Sequence, residues 1–103
     1  MTIRHLLMAA AMAALPGTAS AQDAAAGRML AQTWCANCHT VDARPTISAD
    51  QVPSFAAIAD RPGVTADGLR TFLSAPHGRM PDLSLSRTDI DNAIAYLLTL
   101  RAK

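Results

Sequence analysis

The two cysteines of this 103-residue chain lie three positions apart and are followed at once by a histidine, in Cys35-Ala36-Asn37-Cys38-His39. Residues i and i+3 share one face of a helix, so both thiols can reach one edge of a flat ligand while the imidazole approaches a metal. C-x-x-C-H is the attachment signature of a c-type haem, whose vinyl groups form thioether bonds with the cysteines. The sequence therefore predicts one covalent haem c, held by Cys35 and Cys38, with His39 as the proximal iron ligand.

Other uses of two cysteines fit the sequence less well. A thioredoxin-like redox pair needs a strand before the motif and a βαβ setting, and no strand pattern surrounds it. A structural zinc site needs four ligands, and His5 and His77 are the only other histidines. A disulfide at this spacing closes a very small loop and restricts the unfolded chain little. Haem attachment is the favoured interpretation, and a non-haem dithiol is the alternative.

Residues 1–21 have the pattern of a secretory signal peptide. Arg4 and His5 precede an apolar run at residues 6–15, and an A-x-A cleavage pattern ends at Ala21. The run is too short for a membrane span, which needs about 20 apolar residues. We therefore expect export to the periplasm, cleavage after Ala21, and a mature domain of residues 22–103 without a stable membrane span.

The charge balance limits the possible partners. Loss of residues 1–21 would remove one of the nine basic residues and leave eight bases against eight acids. No basic stripe is present, which argues against nucleic acid as a partner. A mature domain of this size has a small core, and a covalently attached haem would supply an apolar plate around which helices can pack.

Apolar residues recur at helical spacing, and no strand pattern is convincing, so the expected fold is all-α. The expected helices run from about 23 to 37, over a short stretch after residue 53, over 66–74, and from residue 87 to near the C-terminus. Asp23 and Thr65 are expected N-caps, and Ser86 with Asp89 resembles a capping box. Residues 40–52 show no regular period.

The sixth iron ligand has few candidates, since the mature chain contains two methionines and two histidines. Met29 precedes the motif on the helix that delivers His39 and is poorly placed to reach the opposite face. Met80 lies in an irregular segment with Pro and Gly neighbours that can cover that face, and it is the favoured ligand. His77 is the rival, and a His/His pair would give a lower reduction potential than His/Met.

With these residues in place, the chain resembles a class I cytochrome c of the short bacterial monohaem type. The likeness covers essentially all of residues 23–103. The positions that carry it are Gly27 and Leu30 ahead of the haem motif, Pro53-Ser54-Phe55, Met80-Pro81 and Ala95-Tyr96-Leu97.

The resemblance implies a small cytochrome c fold of about four helices wrapped around one covalently attached haem. It implies that the Pro53 carbonyl accepts a hydrogen bond from His39, as metal-bound histidines commonly need, and that Tyr96 packs against Gly27 where the first and last helices cross. The tryptophan that often holds a haem propionate in the family has no counterpart. The candidates to replace it are Arg44, Arg61 and Arg79.

The expected function is periplasmic one-electron transfer, either as a free carrier or as the small cytochrome subunit of a dehydrogenase. Haem iron would cycle between Fe(III) and Fe(II) with His39 and Met80 bound, so the protein by itself is not expected to be an enzyme. Expected partners are a dehydrogenase, a quinol-oxidising complex or a terminal oxidase, met through the exposed haem edge. The alternative is a peroxidase-like or gas-binding domain with an open sixth position and His77 as a distal acid–base group.

Overall fold

The structure, a computed structural model, describes residues 23–43, 52–75 and 78–102. The helices in these ranges are α1 (Ala24–Thr33), a 3-10 turn (Cys35–Asn37), α2 (Phe55–Ala59), α3 (Ala66–Ser74) and α4 (Arg87–Thr99). Within the same ranges no strand is present, apart from an isolated β-bridge at Met80. The predicted all-α fold is therefore confirmed. The expected signal peptide, residues 1–21, lies outside the described residues, as do Arg44 and His77.

The predicted helix starts are all present. The side chains of Asp23 and Thr65 each accept a backbone N–H from three residues further on, at 3.0 Å. Ser86 and Asp89 form a reciprocal capping box, in which the Asp89 N–H donates to the Ser86 hydroxyl at 3.0 Å and the Ser86 N–H donates to the Asp89 carboxylate at 3.4 Å. These bonds satisfy amide groups that have no partner inside the helix.

The first helix is shorter than the sequence predicts. Continuous helix was expected as far as Asn37, but α1 ends at Thr33, and a separate 3-10 turn begins at Cys35. The Asn37 side-chain amide donates to the Trp34 carbonyl at 3.2 Å, and the Cys38 N–H donates to the Cys35 carbonyl at 3.1 Å. Since Asn side chains compete with the backbone for such carbonyls, a polar residue inside the motif favours the tighter turn over α-helix.

The two terminal helices, α1 and α4, make the most extensive contact between helices in the described residues. A Cβ atom on Gly27 would lie 1.8 Å from the Asn92 carbonyl oxygen and 3.0 Å from the Ala93 nitrogen. The predicted close approach at Gly27 is therefore present. The atoms nearest to that Cβ belong to Asn92 and Ala93, about one helical turn before Tyr96, and the expected contact between Gly27 and Tyr96 stays a prediction.

The core of the described residues gathers around these helices. One cluster contains Ala31, Val41, Phe55, Ala59 and Leu97. The C-terminal end of α4 also reaches α2, since Arg101 Nε donates to the Ala59 carbonyl at 3.1 Å. An arginine on the last carbonyls of a helix satisfies groups without a partner inside that helix. Val41, which follows the cysteine motif, is packed in this cluster with residues of α2 and α4.

The third and fourth helices are joined by Arg70. Its guanidinium donates to Asp91 on α4 and to Asp67 on α3, both at 2.7 Å. The hydrogen bond and charge of Asp91, with a smaller contribution from Asp67, raise the pKa of Arg70 above its ordinary value. Because the segment that carries Met80 connects these two helices, Arg70 holds the ends of that segment together.

Candidate functional site

Cys35–Asn37 form a single 3-10 turn that follows α1, and Cys38 and His39 come directly after it. Side chains three residues apart are eclipsed in this geometry, so Cys35 and Cys38 are presented on the same side of the turn. Both are free thiols; Cys35 is half-buried and Cys38 is exposed. Burial raises the pKa of the Cys35 thiol. The two cysteines form no disulfide with each other and lie close together in the chain, as attachment to two vinyl groups of one haem requires.

His39 is oriented by a hydrogen bond from its side chain. Its Nδ1 lies 2.6 Å from the Pro53 carbonyl oxygen. A carbonyl can only accept a hydrogen bond, so Nδ1 carries the proton and the lone pair of the neutral ring is on Nε2. This is the tautomer in which Nε2 can bind a metal while the other nitrogen holds the ring in place. The predicted contact between His39 and Pro53 is therefore present.

The two residues after His39 are held as well. The Thr40 carbonyl accepts a hydrogen bond from the Phe55 N–H at 2.9 Å. The Val41 carbonyl accepts one from the Tyr96 hydroxyl at 2.6 Å. Residues 39–41, the proximal segment, are thus bonded at three successive positions, twice to the start of α2 and once to α4.

Aromatic rings fill the space behind His39. The centroids of the His39 and Phe55 rings are 5.6 Å apart, and those of Phe55 and Tyr96 are 6.4 Å apart, with tilted planes in both pairs. These separations are typical of favourable aromatic contacts. Phe55 and Tyr96 are both buried. The imidazole therefore has a packed wall on one side as well as a hydrogen bond at Nδ1.

Met80 lies in a different part of the chain, in the segment 78–86 between α3 and α4, here called the Met80 segment. It is half-buried and lines a shallow open pocket with residues of the same segment and the end of α3: Leu73, Ala75, Pro81, Asp82, Leu83 and Leu85. Met29, the other thioether, is 69% exposed on α1. Iron ligation by Met80 stays a prediction, and the rival His77 lies outside the described residues.

The donor groups suit a covalent haem better than a metal ion bound by the protein alone. Two free thiols and an imidazole with Nε2 available are the groups that haem c attachment uses. Across residues 23–43, 52–75 and 78–102, no group of three or more His, Cys, Asp or Glu side chains is arranged to hold a metal ion. Of the arginines expected near a haem propionate, Arg61 and Arg79 are exposed, and their role stays a prediction.

Two features of the site were missed from the sequence. One is the bond from the Tyr96 hydroxyl to Val41, which joins residues 55 positions apart. The other is the backbone bond between Thr40 and Phe55. No motif marks either of them. The helical spacing of apolar residues on α4 could have shown that Tyr96 faces inward, but not which carbonyl it meets.

Two comparisons with known proteins give a match over most of the chain. Residues 22–97 match the family described as cytochrome C oxidase, cbb3-type, subunit III. The chain is 39% identical over 99 residues to a curated protein named cytochrome c-552 from Bradyrhizobium diazoefficiens, a match that covers 96% of this chain and 95% of that protein. No solved structure gives a significant match.

Proposed function

We propose, from the premise that this chain belongs to the cytochrome c family matched by residues 22–97, that it is a periplasmic one-electron carrier with His39 and Met80 as axial ligands of one haem. Membership of this family makes the chain an electron-transfer protein rather than an enzyme. The observation that best supports the finer assignment is the hydrogen bond from His39 Nδ1 to the Pro53 carbonyl, because it leaves Nε2 available to a metal.

The cysteine turn supports covalent attachment at Cys35 and Cys38. The bound haem supplies one-electron cycling between Fe(III) and Fe(II). The protein presents two thiols side by side, holds the His39 ring in one tautomer, and packs Phe55 behind that ring. A ligand held in one orientation needs little rearrangement when the charge on the iron changes, and this is the property an electron carrier requires.

Met80 is proposed as the second axial ligand on three grounds. It is a thioether, it is half-buried at a small pocket that Leu73 and Leu85 also line, and the other thioether, Met29, is largely exposed on α1. Thioether sulfur at the sixth position raises the reduction potential of a haem. This choice would suit a carrier that accepts electrons from a dehydrogenase or a quinol-oxidising complex.

Export to the periplasm is proposed from residues 1–21, whose basic start, apolar run and A-x-A ending are typical of a cleaved signal peptide. None of the helices in the described residues is long and apolar enough to cross a membrane. The mass of the intact exported protein tests the proposal. It should equal that of residues 22–103 plus one haem, whereas retention of Arg4 would contradict cleavage after Ala21.

Redox partner proteins are implied by the family, and their identity is proposed only by class. A dehydrogenase, a quinol-oxidising complex or a terminal oxidase would each meet the protein at the haem edge, and the chain could also serve as the small cytochrome subunit of a dehydrogenase. The neutral charge of residues 22–103 predicts weak electrostatic steering. Association rates should therefore depend little on ionic strength.

An absorption spectrum with a carbon monoxide test decides between the axial assignments. His/Met ligation predicts a low-spin spectrum, a weak band near the red end in the oxidised state, and no ready binding of carbon monoxide. An open sixth position would bind carbon monoxide readily and would contradict the carrier proposal. A haem stain on a denaturing gel tests covalent attachment separately, because thioether-bound haem survives boiling in detergent.

A further inference from the structure

The proximal segment is held by two neighbours of different kinds. Its bonds to Pro53 and Phe55 come from chain that is only 14 to 15 positions further along. Its third bond comes from Tyr96, 55 positions beyond Val41. The Tyr96 hydroxyl is therefore the link in this set that ties the proximal segment to the α1–α4 helix pair.

We propose that Tyr96 is a positioning residue for His39, acting through the Val41 carbonyl and the Phe55 ring. The proposal rests on the proposed function, in which His39 Nε2 binds the haem iron. The contacts of Tyr96 in this region are its hydrogen bond to the Val41 carbonyl and its ring contact with Phe55. Through these contacts Tyr96 determines how firmly the residues on either side of the Nδ1 hydrogen bond are held.

Burial makes the hydrogen bond between the Tyr96 hydroxyl and the Val41 carbonyl costly to lose. Tyr96 is 6% exposed and Val41 is 7% exposed, so neither group has ready access to water. Loss of the hydroxyl would leave the Val41 carbonyl without this donor in an apolar setting, and such groups are costly to leave unbonded. The segment can regain a partner by moving toward water, and that movement draws His39 away from the Pro53 carbonyl.

The Phe55 ring transmits the second part of the effect. It contacts His39 on one side and Tyr96 on the other, while its own N–H holds the Thr40 carbonyl. A shift of the Tyr96 ring would therefore reach the imidazole through one intervening side chain. Since protein interiors are close-packed, small displacements of this kind are passed on rather than absorbed.

A weaker hydrogen bond at His39 Nδ1 would change the reduction potential of the haem iron. This bond increases the basicity of the metal-bound imidazole, and a more basic ligand favours Fe(III) over Fe(II). Loosening the proximal segment should therefore raise the reduction potential. A residue that only contributed to global stability would change the unfolding free energy and leave the potential of the folded protein unaltered.

The test compares Tyr96→Phe with Ile90→Val in the haem-loaded protein. The first variant keeps the ring and removes the hydroxyl. The second removes one methyl group from a buried α4 position. It should lower the unfolding free energy by a similar amount, at a residue for which no hydrogen bond to the proximal segment is described. For each we would measure the reduction potential and, by NMR, the solvent exchange rate of the His39 Nδ1 proton.

We expect Tyr96→Phe to raise the potential and to speed exchange of this proton roughly five-fold, which corresponds to the loss of one ordinary hydrogen bond. Ile90→Val should leave both unchanged. The positioning role would be overturned if Tyr96→Phe had the wild-type reduction potential and exchange rate. It would also be overturned if both variants changed these two quantities equally. Should Tyr96→Phe fail to accumulate with haem, Phe55→Leu tests the transmitting ring: the same two shifts support the proposal and wild-type values refute it.

Failure of the proposed function would look different. If His39 binds the iron, its ring signals in the oxidised wild-type protein are strongly displaced by the unpaired electron. Undisplaced His39 signals in the wild type would refute the proximal assignment itself. If the His39 signals are displaced but Tyr96→Phe changes neither the Nδ1 proton exchange rate nor the reduction potential, only the positioning role is refuted.

Discussion

The proximal segment and the Met80 segment would face opposite sides of the same haem, yet they are built differently. Each residue of the proximal segment bonds to a residue outside the segment, and two buried aromatic rings lie behind it. The Met80 segment is mostly exposed. A bond within that segment joins the Ser84 N–H to the Asp82 carboxylate at 2.8 Å.

The difference concerns how firmly the polypeptide holds each of the two proposed iron ligands in place. His39 is held by polypeptide contacts that exist in the protein fold itself. Met80 lines a pocket together with Leu73 and Leu85 but lies in a segment that is mostly exposed. Segments with few buried contacts open at low cost. We therefore expect loss of a proximal contact to lower stability more than loss of a Met80-segment contact, and loss of Met80 to cause the larger change in reduction potential.

The largest expected effect is on the proximal side. Phe55→Ala removes a buried ring that contacts both His39 and Tyr96, and it should lower the unfolding free energy by about 3–5 kcal/mol. Leu83→Ala, at a half-buried position of the Met80 segment, should cost less than half as much. Denaturant unfolding of both variants measures the contrast, and comparable losses would remove the distinction between the two sides.

The next effect tests the helix pair that supports the proximal side. Gly27→Ala places a Cβ 1.8 Å from the Asn92 carbonyl oxygen, so α1 and α4 must separate, at a cost of about 3 kcal/mol. Gly68→Ala is the control, because its Cβ would meet only the Thr65 hydroxyl, at 3.2 Å, while alanine favours helix by about 1 kcal/mol. Thermal melting should show a large loss for the first variant and little change for the second.

Met80→Ala should alter the iron more than the fold. Loss of a sulfur ligand that favours Fe(II) should lower the potential by on the order of 100 mV, which is about 2.3 kcal/mol per electron. The haem should stay attached through Cys35 and Cys38, and carbon monoxide should bind readily. His77→Ala is the control and should leave the spectrum intact. The reverse pattern would indicate bis-histidine ligation and a lower-potential role.

The smallest effect concerns backbone strain in the Met80 segment. Ser84 has φ = 52°, a region that glycine occupies at much lower cost than other residues. Ser84→Gly should therefore stabilise the protein by about 0.5 kcal/mol after the extra entropy of the unfolded chain is counted. Ser74→Gly, the same exchange at the last residue of α3, also removes a hydroxyl that donates to the Arg70 carbonyl at 2.6 Å. It should destabilise the protein by about 0.5 kcal/mol or more. Chemical denaturation of the two variants measures the change in unfolding free energy. A lower stability of Ser84→Gly than of the wild type would contradict the prediction.

Much of the fold was predictable because its signals are local. The caps at Asp23 and Thr65 and the capping box at Ser86 depend on atoms within three residues of each other. The end of α3 before Pro76 follows from the restriction that proline places on the preceding residue. The early end of α1 was missed because it depends on whether the Asn37 side chain or the backbone satisfies the Trp34 carbonyl, and spacing alone does not distinguish them.

By itself, the sequence determined the all-α class, the paired thiols and the histidine beside them, since each follows from residue types at fixed short spacing. It also indicated, through resemblance, that His39 and Pro53 meet. Only the tertiary structure decided that Gly27 lies against the backbone of Asn92 and that the Tyr96 hydroxyl bonds to Val41. Those contacts join residues at least 55 positions apart. They depend on the angle and depth at which whole helices pack, which no short stretch of sequence encodes.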